Sequence, residues 1–401
     1  MRISTAQAQQ QGINSILNQQ AQLNKTQQQL ATGQRILTPS DDPAGASRVL
    51  ELTQAVSVND QYQSNIDAAR TRLNLEESTL NNVNSLLQNV RTLAVQANNS
   101  TLNNSDRASI ALEIRQRLDE LLSLANTKDE SNGYLFAGYK GQTQPFARTA
   151  AGSYIYNGDQ GQRFLQIGPT RQVAVDDSGT AVFQMIRNGN GAFTTLENTA
   201  NAGNGIIDTG TVVSASAYQA HNFTILFTSS TTFDVINNTT STTVLNAQPY
   251  SSGETISFNG IQTSVSGAPA GGDSFTVTPS ANQDIFTTLQ NMAVALEAPI
   301  NSPAGKAQFN NAMNRTLTDI DQSVNNILAT LSGIGARINA IDSQQDVNAA
   351  YTLQIKQTLS TVQDLDYAAA ASQLNAQLLA LQAAQQSFIK VQNLSLFNYL
   401  T

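Results

Sequence analysis

Apolar residues recur every seven positions along both ends of this chain, and the repeat is lost in the middle. Leu52, Ile66, Leu73, Leu80, Leu87 and Ala94 share one phase, with Asn59 as the gap. Ala55, Tyr62, Ala69, Val83, Val90 and Ala97 lie three residues later. Two such lines make a seam that a partner helix can cover, so the spacing predicts a long helix in a bundle or coiled coil. A second helix fits Ile110, Ile114, Leu118, Leu121, Leu122 and Ala125, with Asp106 suited to its first turn.

The C-terminal arm repeats the pattern. Met313, Ile320, Ile327, Ile334, Ile341, Ile355 and Val362 share a phase, with Asn348 as the gap. Leu317, Val324, Leu331, Ile338 and Leu359 fill the partner line. A helix of about fifty residues, roughly 75 Å long, is expected. After Asp364-Leu365-Asp366 the phase jumps to Tyr367, Leu374, Leu381 and Phe388, with Ala371 and Leu378 as partners. A phase change of this kind marks a stutter, a bend or a domain boundary. The first 37 residues carry a thinner line of Ile16, Leu23, Leu30 and Leu37, whose partner positions are mostly Gln. Such a helix buries little and is marginal alone. Pro39 and Pro43 end it.

The centre reads as strands. Residues 223–227, 232–236, 255–258 and 274–277 are rich in β-branched and aromatic residues, and Asn259-Gly260 is a hairpin signal. A smaller hairpin unit is expected from 154–156, 164–167 and 172–175, with Asn157-Gly158 between the first two. The fold class is therefore mainly α with a β-rich insert. The spacing supports long coiled-coil-like terminal helices with the β insert between the two helical arms.

Composition removes several functions. Cysteine is absent and His221 is the single histidine, so thiolate chemistry and multi-histidine metal sites are excluded. Charged residues are 12% of the chain, the net charge is −8, and no Lys or Arg occurs from 188 to 305. Nucleic acid is not an expected partner. No apolar run approaches the roughly 18 residues of a membrane span. The N-terminus lacks the apolar core of a cleavable signal peptide. No cofactor is expected. Asp41-Asp42, Glu76-Glu77, Asp176-Asp177 and Asp364/Asp366 are read as solvated or capping acids rather than a catalytic pair. Asp41-Asp42 are placed to cap the helix entered at Pro43, with Arg48 in reach of either. His221 is read as a polar residue at a strand edge, and Gly158 to Gly161 as a turn.

Several stretches are more specific. PSDDPAGASR (39–48) after LATGQRI (30–36), GIGARINAID (333–342) and the stretch 364–400 ending in QNLSLFNYL resemble the terminal signatures of the flagellin superfamily. NGYLFAGYKGQTQPF (132–146), YNGDQGQ (156–162) and the MRIS start are similar to its hook-filament junction branch. The likeness covers roughly 1–180 and 285–401, and is loose over 188–280. It implies a terminal helical domain of residues 1–42 with 365–401, a helical bundle domain of 43–180 with 283–364, and an outward β domain of 181–282, in a non-enzymatic structural protein of the bacterial flagellum that folds its ends on assembly. It also implies export through the flagellar type III channel, and an extracellular place without a cleaved signal peptide.

The partners implied are like subunits in a ring, the other junction protein, flagellin, and an export chaperone binding the C-terminal helix. Assembly contacts are expected at Ile16, Leu23, Leu30, Leu37, Leu374, Leu378, Leu381 and Phe388. Pro39, Asp41, Asp42, Pro43 and Arg48 form the domain junction. The alternatives are a filament flagellin, and an extracellular adhesin or hydrolase carried on the β segment.

Overall fold

A computed structural model describes residues 5–99 and 102–393. The MRIS start and residues 394–401 of the C-terminal signature lie outside the described residues. Among those described, six α-helices flank a β-rich centre. They are α1 (Thr5–Thr32), α2 (Pro43–Ala97), α3 (Asn104–Ala125), α4 (Ile285–Glu297), α5 (Pro303–Gln363) and α6 (Tyr367–Asn393). The chain forms two compact units, residues 1–64 with 343–401 and residues 65–342. Both α2 and α5 contribute to each unit.

In the 65–342 unit the heptads are the core. Ile66, Leu73, Leu80, Leu87 and Ala94 of α2, and Met313, Ile320, Ile327, Ile334 and Ile341 of α5, are fully buried. Leu317, Val324, Leu331 and Ile338 are only half-buried against the same core. α3 starts from a capping box, in which Asn103 accepts the Asp106 N–H and Asp106 accepts that of Asn103. It packs beside α4.

An aromatic cluster closes the bundle: Phe136 and Phe183 meet edge-on at 5.1 Å, and Tyr154 stacks on Phe286 at 4.9 Å. The segments 132–146 and 156–162 bind each other there. Asp159 Oδ1 accepts the Tyr139 and Gly161 N–H groups at 2.9 and 2.8 Å. Gly138 has φ +66°, and a Cβ on it would lie 2.5 Å from the Asp159 carbonyl oxygen, so glycine is required there.

The hairpins of this region differ from the expectation. Phe146–Arg148 pairs with Tyr154–Tyr156, and Phe164–Gln166 pairs with Gln172–Ala174. Asn157-Gly158 therefore joins two separate hairpins and is not a hairpin turn. The partner strand, residues 146–148, is only three residues long, which left too few alternating positions to read.

The β-rich insert has a separate core. Strands 242–249, 232–237, 223–229, 274–279 and 193–197 form one antiparallel sheet in that order. A second sheet joins 255–258, 261–266 and 206–207. Asn259 and Gly260 turn between 255–258 and 261–266 with φ 43° and 75°, as a two-residue hairpin of right-handed twist demands. Phe223, Ile225, Phe227, Phe275 and Val277 alternate inward and are buried. Strand 186–187 pairs with 282–283 and closes the stem of this insert. Asn311 of α5 ties it to the helix, accepting the Ile207 N–H at 2.9 Å and donating to the Gly205 carbonyl at 3.1 Å.

Candidate assembly surface: the terminal helix pair and its joint

α1 and α6 run antiparallel, Gly12 lying against Phe388 and Gly33 against Tyr367. The facing positions on α1 are Gly12, Ile16, Gln19, Leu23, Thr26 and Leu30, spaced alternately by four and three. Only Leu23 and Thr26 of these fall below a tenth exposed, at 7% and 3%. One fully buried leucine contributes about 2 kcal/mol, a small gain for a helix of 28 residues. On α6 the matching line is Ala370, Leu374, Gln377, Leu381, Ala384 and Phe388.

Two expected seam residues stand elsewhere. Leu378 is 38% exposed, and Gln377, 8% exposed, takes the inner position with its Oε1 lacking a partner. A step of three from Leu374 reaches Gln377 and a step of four reaches Leu378. The α1 helix selects the first, against the polarity of the two side chains, which favours the second. Leu37 is not on a helix at all. α1 stops at Thr32 because Gly33 takes φ +71° and returns its N–H to the Gln29 carbonyl at 2.8 Å. The stop is thus a glycine cap, ahead of Pro39. Half-buried Leu37 instead lines a notch with Ile36, Pro39, Ala46 and Val49.

The break after α1 is stitched to the break before α6. Arg35 N–H donates to the Gln363 carbonyl at 2.8 Å, and Leu365 N–H to the Gly33 carbonyl at 3.0 Å. The Arg35 guanidinium donates to the Val362 carbonyl at 2.9 Å, placing a cation at the C-terminal end of α5. It also reaches Asp42 at 3.3 Å. Asp42 caps α2 by accepting the Gly45 N–H at 2.9 Å, with Pro43 first in the helix.

Asp41 ties the loop to α1. It accepts the Leu37 and Thr38 N–H groups and pairs with Lys25 at 2.7 Å. The Lys25 ammonium, and then the Thr38 N–H, hold its carboxyl below the usual range. Arg48 pairs with neither aspartate. It pairs with Glu51 one turn on, at 3.0 Å, both exposed. Arg35, arriving from the other side of the loop, occupies the place expected for Arg48. Asp366 caps α6, accepting the Ala368 and Ala369 N–H groups.

The two heptad gaps meet. Asn59 and Asn348 are buried, and Asn59 Nδ2 donates to the Asn348 carbonyl at 2.7 Å and to Thr352. Gln344 donates to Asn348 Oδ1 at 2.9 Å. A polar node at such positions fixes the register of paired helices.

The remaining acids are not solvated as a class. Glu76 occupies the unfilled seam position between Ala69 and Val83 and is fully buried. Asp176, also fully buried, faces Arg72 at 3.3 Å and Arg163 at 3.6 Å. Asp177 pairs with Arg337, and Asp129 with Arg72. Burial pushes Glu76 well above the usual carboxyl range, and Asp177 and Asp176 add to the shift. Burial pushes Asp176 upward as well, while the guanidinium groups of Arg72, Arg163 and Arg337 face this group of acids. His221 Nδ1 lies 2.9 Å from the Asn237 amide at the strand edge.

Comparison with known proteins agrees with this architecture. Residues 3–141 match the bacterial flagellin N-terminal helical region. Residues 196–279 match the D2-like domain of flagellar hook-associated protein 1, giving a relative to the segment whose likeness was loose. Flagellar hook-associated protein 3 of Escherichia coli (strain K12) is 29% identical over 99% of both chains. A flagellin of Clostridium tyrobutyricum is 33% identical, over 29% of this chain and 31% of its own. The crystal structure of hook-associated protein 3 from Legionella pneumophila superposes with a TM-score of 0.76 at 34% identity, covering 78% of this chain and 98% of that one. The chain belongs to the flagellar hook-associated protein 3 family.

Proposed function

We propose that this protein is a structural subunit of the junction between flagellar hook and filament, and that its terminal helix pair templates filament assembly. The observation that carries the reading is the apolar surface left on that pair. Beyond the narrow inner seam, Ile13 and Leu17 of α1 are 41% and 56% exposed, and Leu378, Leu379 and Ile389 of α6 are 38%, 69% and 56% exposed. Ile13 and Leu17 lie one turn apart, and Leu378 and Ile389 three turns apart, so each pair shares a face. An exposed apolar line of this kind marks an interaction site. A helix pair with so little buried area gains stability from neighbours.

Inner residues Ile16, Leu23, Leu30, Leu374, Leu381 and Phe388 hold the two helices together. Leu378 faces the neighbouring subunit. Like copies, the other junction protein and flagellin are the proposed neighbours, with a chaperone covering α6 before export through the flagellar channel. No helix among the described residues is long and apolar enough to cross a membrane. The test is electron microscopy of cells lacking the protein. Hooks without filaments, with flagellin released to the medium, are expected. Normal filaments would refute the proposal.

A further inference from the structure

At the Ala97 end of α2 there is a cleft of about 320 Å³ whose charge is one-sided. Two helices begin beside it, α3 at Asn104 and α5 at Pro303. The capping box takes the Asn103 and Asp106 N–H groups of α3, Pro303 has no N–H, and the Gly305 N–H of α5 goes to Ser302 Oγ, so the two starts contribute chiefly the positive end of the backbone dipole. Arg107 and Lys306 both line the cleft. Among the described residues neither takes part in an ion pair.

The state of Arg107 is the independent sign. It is only 6% exposed. Its guanidinium donates to the Leu102 carbonyl at 3.0 Å and to the Asn104 side chain, and lies 5.3 Å from the centre of the Phe309 ring. Its Nε is buried without a hydrogen-bond partner. These contacts are to neutral groups, and a buried cation held only by neutral groups keeps an unmet demand for negative charge. Arg72, by contrast, faces Asp129 and Asp176. The acid next to Arg107 in sequence, Asp106, is engaged at the helix start, its Oδ2 accepting the Asn103 N–H at 3.1 Å.

We propose that this cleft binds an oxyanion, a carboxylate or phosphate group seated between Lys306 and the starts of α3 and α5, with Arg107 supplying charge behind it. Asn103 and Asn310 on the cleft wall provide neutral polar groups around it. The volume is several times the roughly 30 Å³ of a water molecule, enough for a group of that size. The oxyanion has two possible sources, a free ion or an acidic side chain of another copy.

Thermal melting of the full chain in sodium phosphate, against sodium chloride at equal ionic strength, separates the sources together with sedimentation of concentrated protein. For a free ion, phosphate raises the melting temperature of the parent. Lys306→Gln then weakens phosphate binding by about tenfold, as loss of one hydrogen bond to a charged group implies. For an acid of another copy, the parent self-associates, phosphate dissociates it in sedimentation, and Lys306→Gln lowers both the self-association and its response to phosphate. Arg107→Lys, which keeps the charge, should retain the response. The proposal is overturned if Lys306→Gln responds to phosphate as the parent does, or if neither melting nor association responds.

Discussion

Replacing Glu76 by Gln should stabilise the 65–342 unit, increasingly so as pH rises. Glu76 is fully enclosed in the α2 seam. Its Oε1 accepts the Asp177 N–H at 3.1 Å, while Oε2 has no partner. Burial, and then the negative charge of Asp177, raise its pKa well above the ordinary 4.5, and Arg337 only partly offsets them. The native state therefore keeps a proton that the unfolded chain releases above about pH 4.5. Stability attributable to this group falls as pH rises from the unfolded pKa toward the raised folded one. The slope inside that window is about 1.4 kcal/mol per pH unit.

Glutamine keeps the shape and the Oε1 acceptor and carries no titrating proton, so Glu76→Gln should lack that slope. The two proteins should be close at about pH 4 and diverge toward pH 8, the variant being the more stable. Buried Asp176 and Asp319 are pushed up as well and titrate in both proteins, so the difference reports Glu76 together with its coupling to Asp176 and Asp177. Urea unfolding at a series of pH values, followed by circular dichroism of the tyrosines, measures it. Equal pH slopes, or a variant less stable than the parent at pH 8, would refute the reasoning.

Three other predictions concern the terminal unit and the insert. Leu381→Asp places a carboxylate in the α1/α6 seam and should lower helicity of the isolated protein, whereas Leu378→Asp should leave helicity unchanged and abolish filament attachment. Loss of helicity in Leu378→Asp, seen by far-ultraviolet circular dichroism, would reverse the assignment of faces. Asn59→Asp sets an acceptor against the Asn348 carbonyl and should cost at least ~2 kcal/mol in urea unfolding, since a buried charge gains no partner there. Joining residues 187 and 281 by a short linker should leave the α-helical signal of the bundle intact, because the deleted part has a core of its own; collapse of that signal would show that the bundle depends on it.

The heptad repeats alone determined that α2 and α5 would be long, which faces they would bury, and that Asn59 and Asn348 would be exceptions. Repetition over many turns averages out local ambiguity, which is why this part was legible. Asn259-Gly260 likewise marked the turn after 255–258, and the returning strand 261–266 came from the tertiary structure, in the single register that a two-residue turn leaves. The motif 39–48 marked the joint.

Tertiary structure decided the rest. Whether Gln377 or Leu378 faces inward depends on the path of α1, since steps of three and four differ by about 100° around a helix and both are compatible with a heptad. That Arg35 rather than Arg48 reaches Asp42 depends on the turn set by Gly33, which brings a residue seven positions back into range. That Glu76 is buried beside Asp176 and Asp177 depends on chain segments a hundred residues apart. Periodicity reports the direction in which a side chain leaves its own helix, and a second element must arrive before that direction becomes an interior, a surface or a salt bridge.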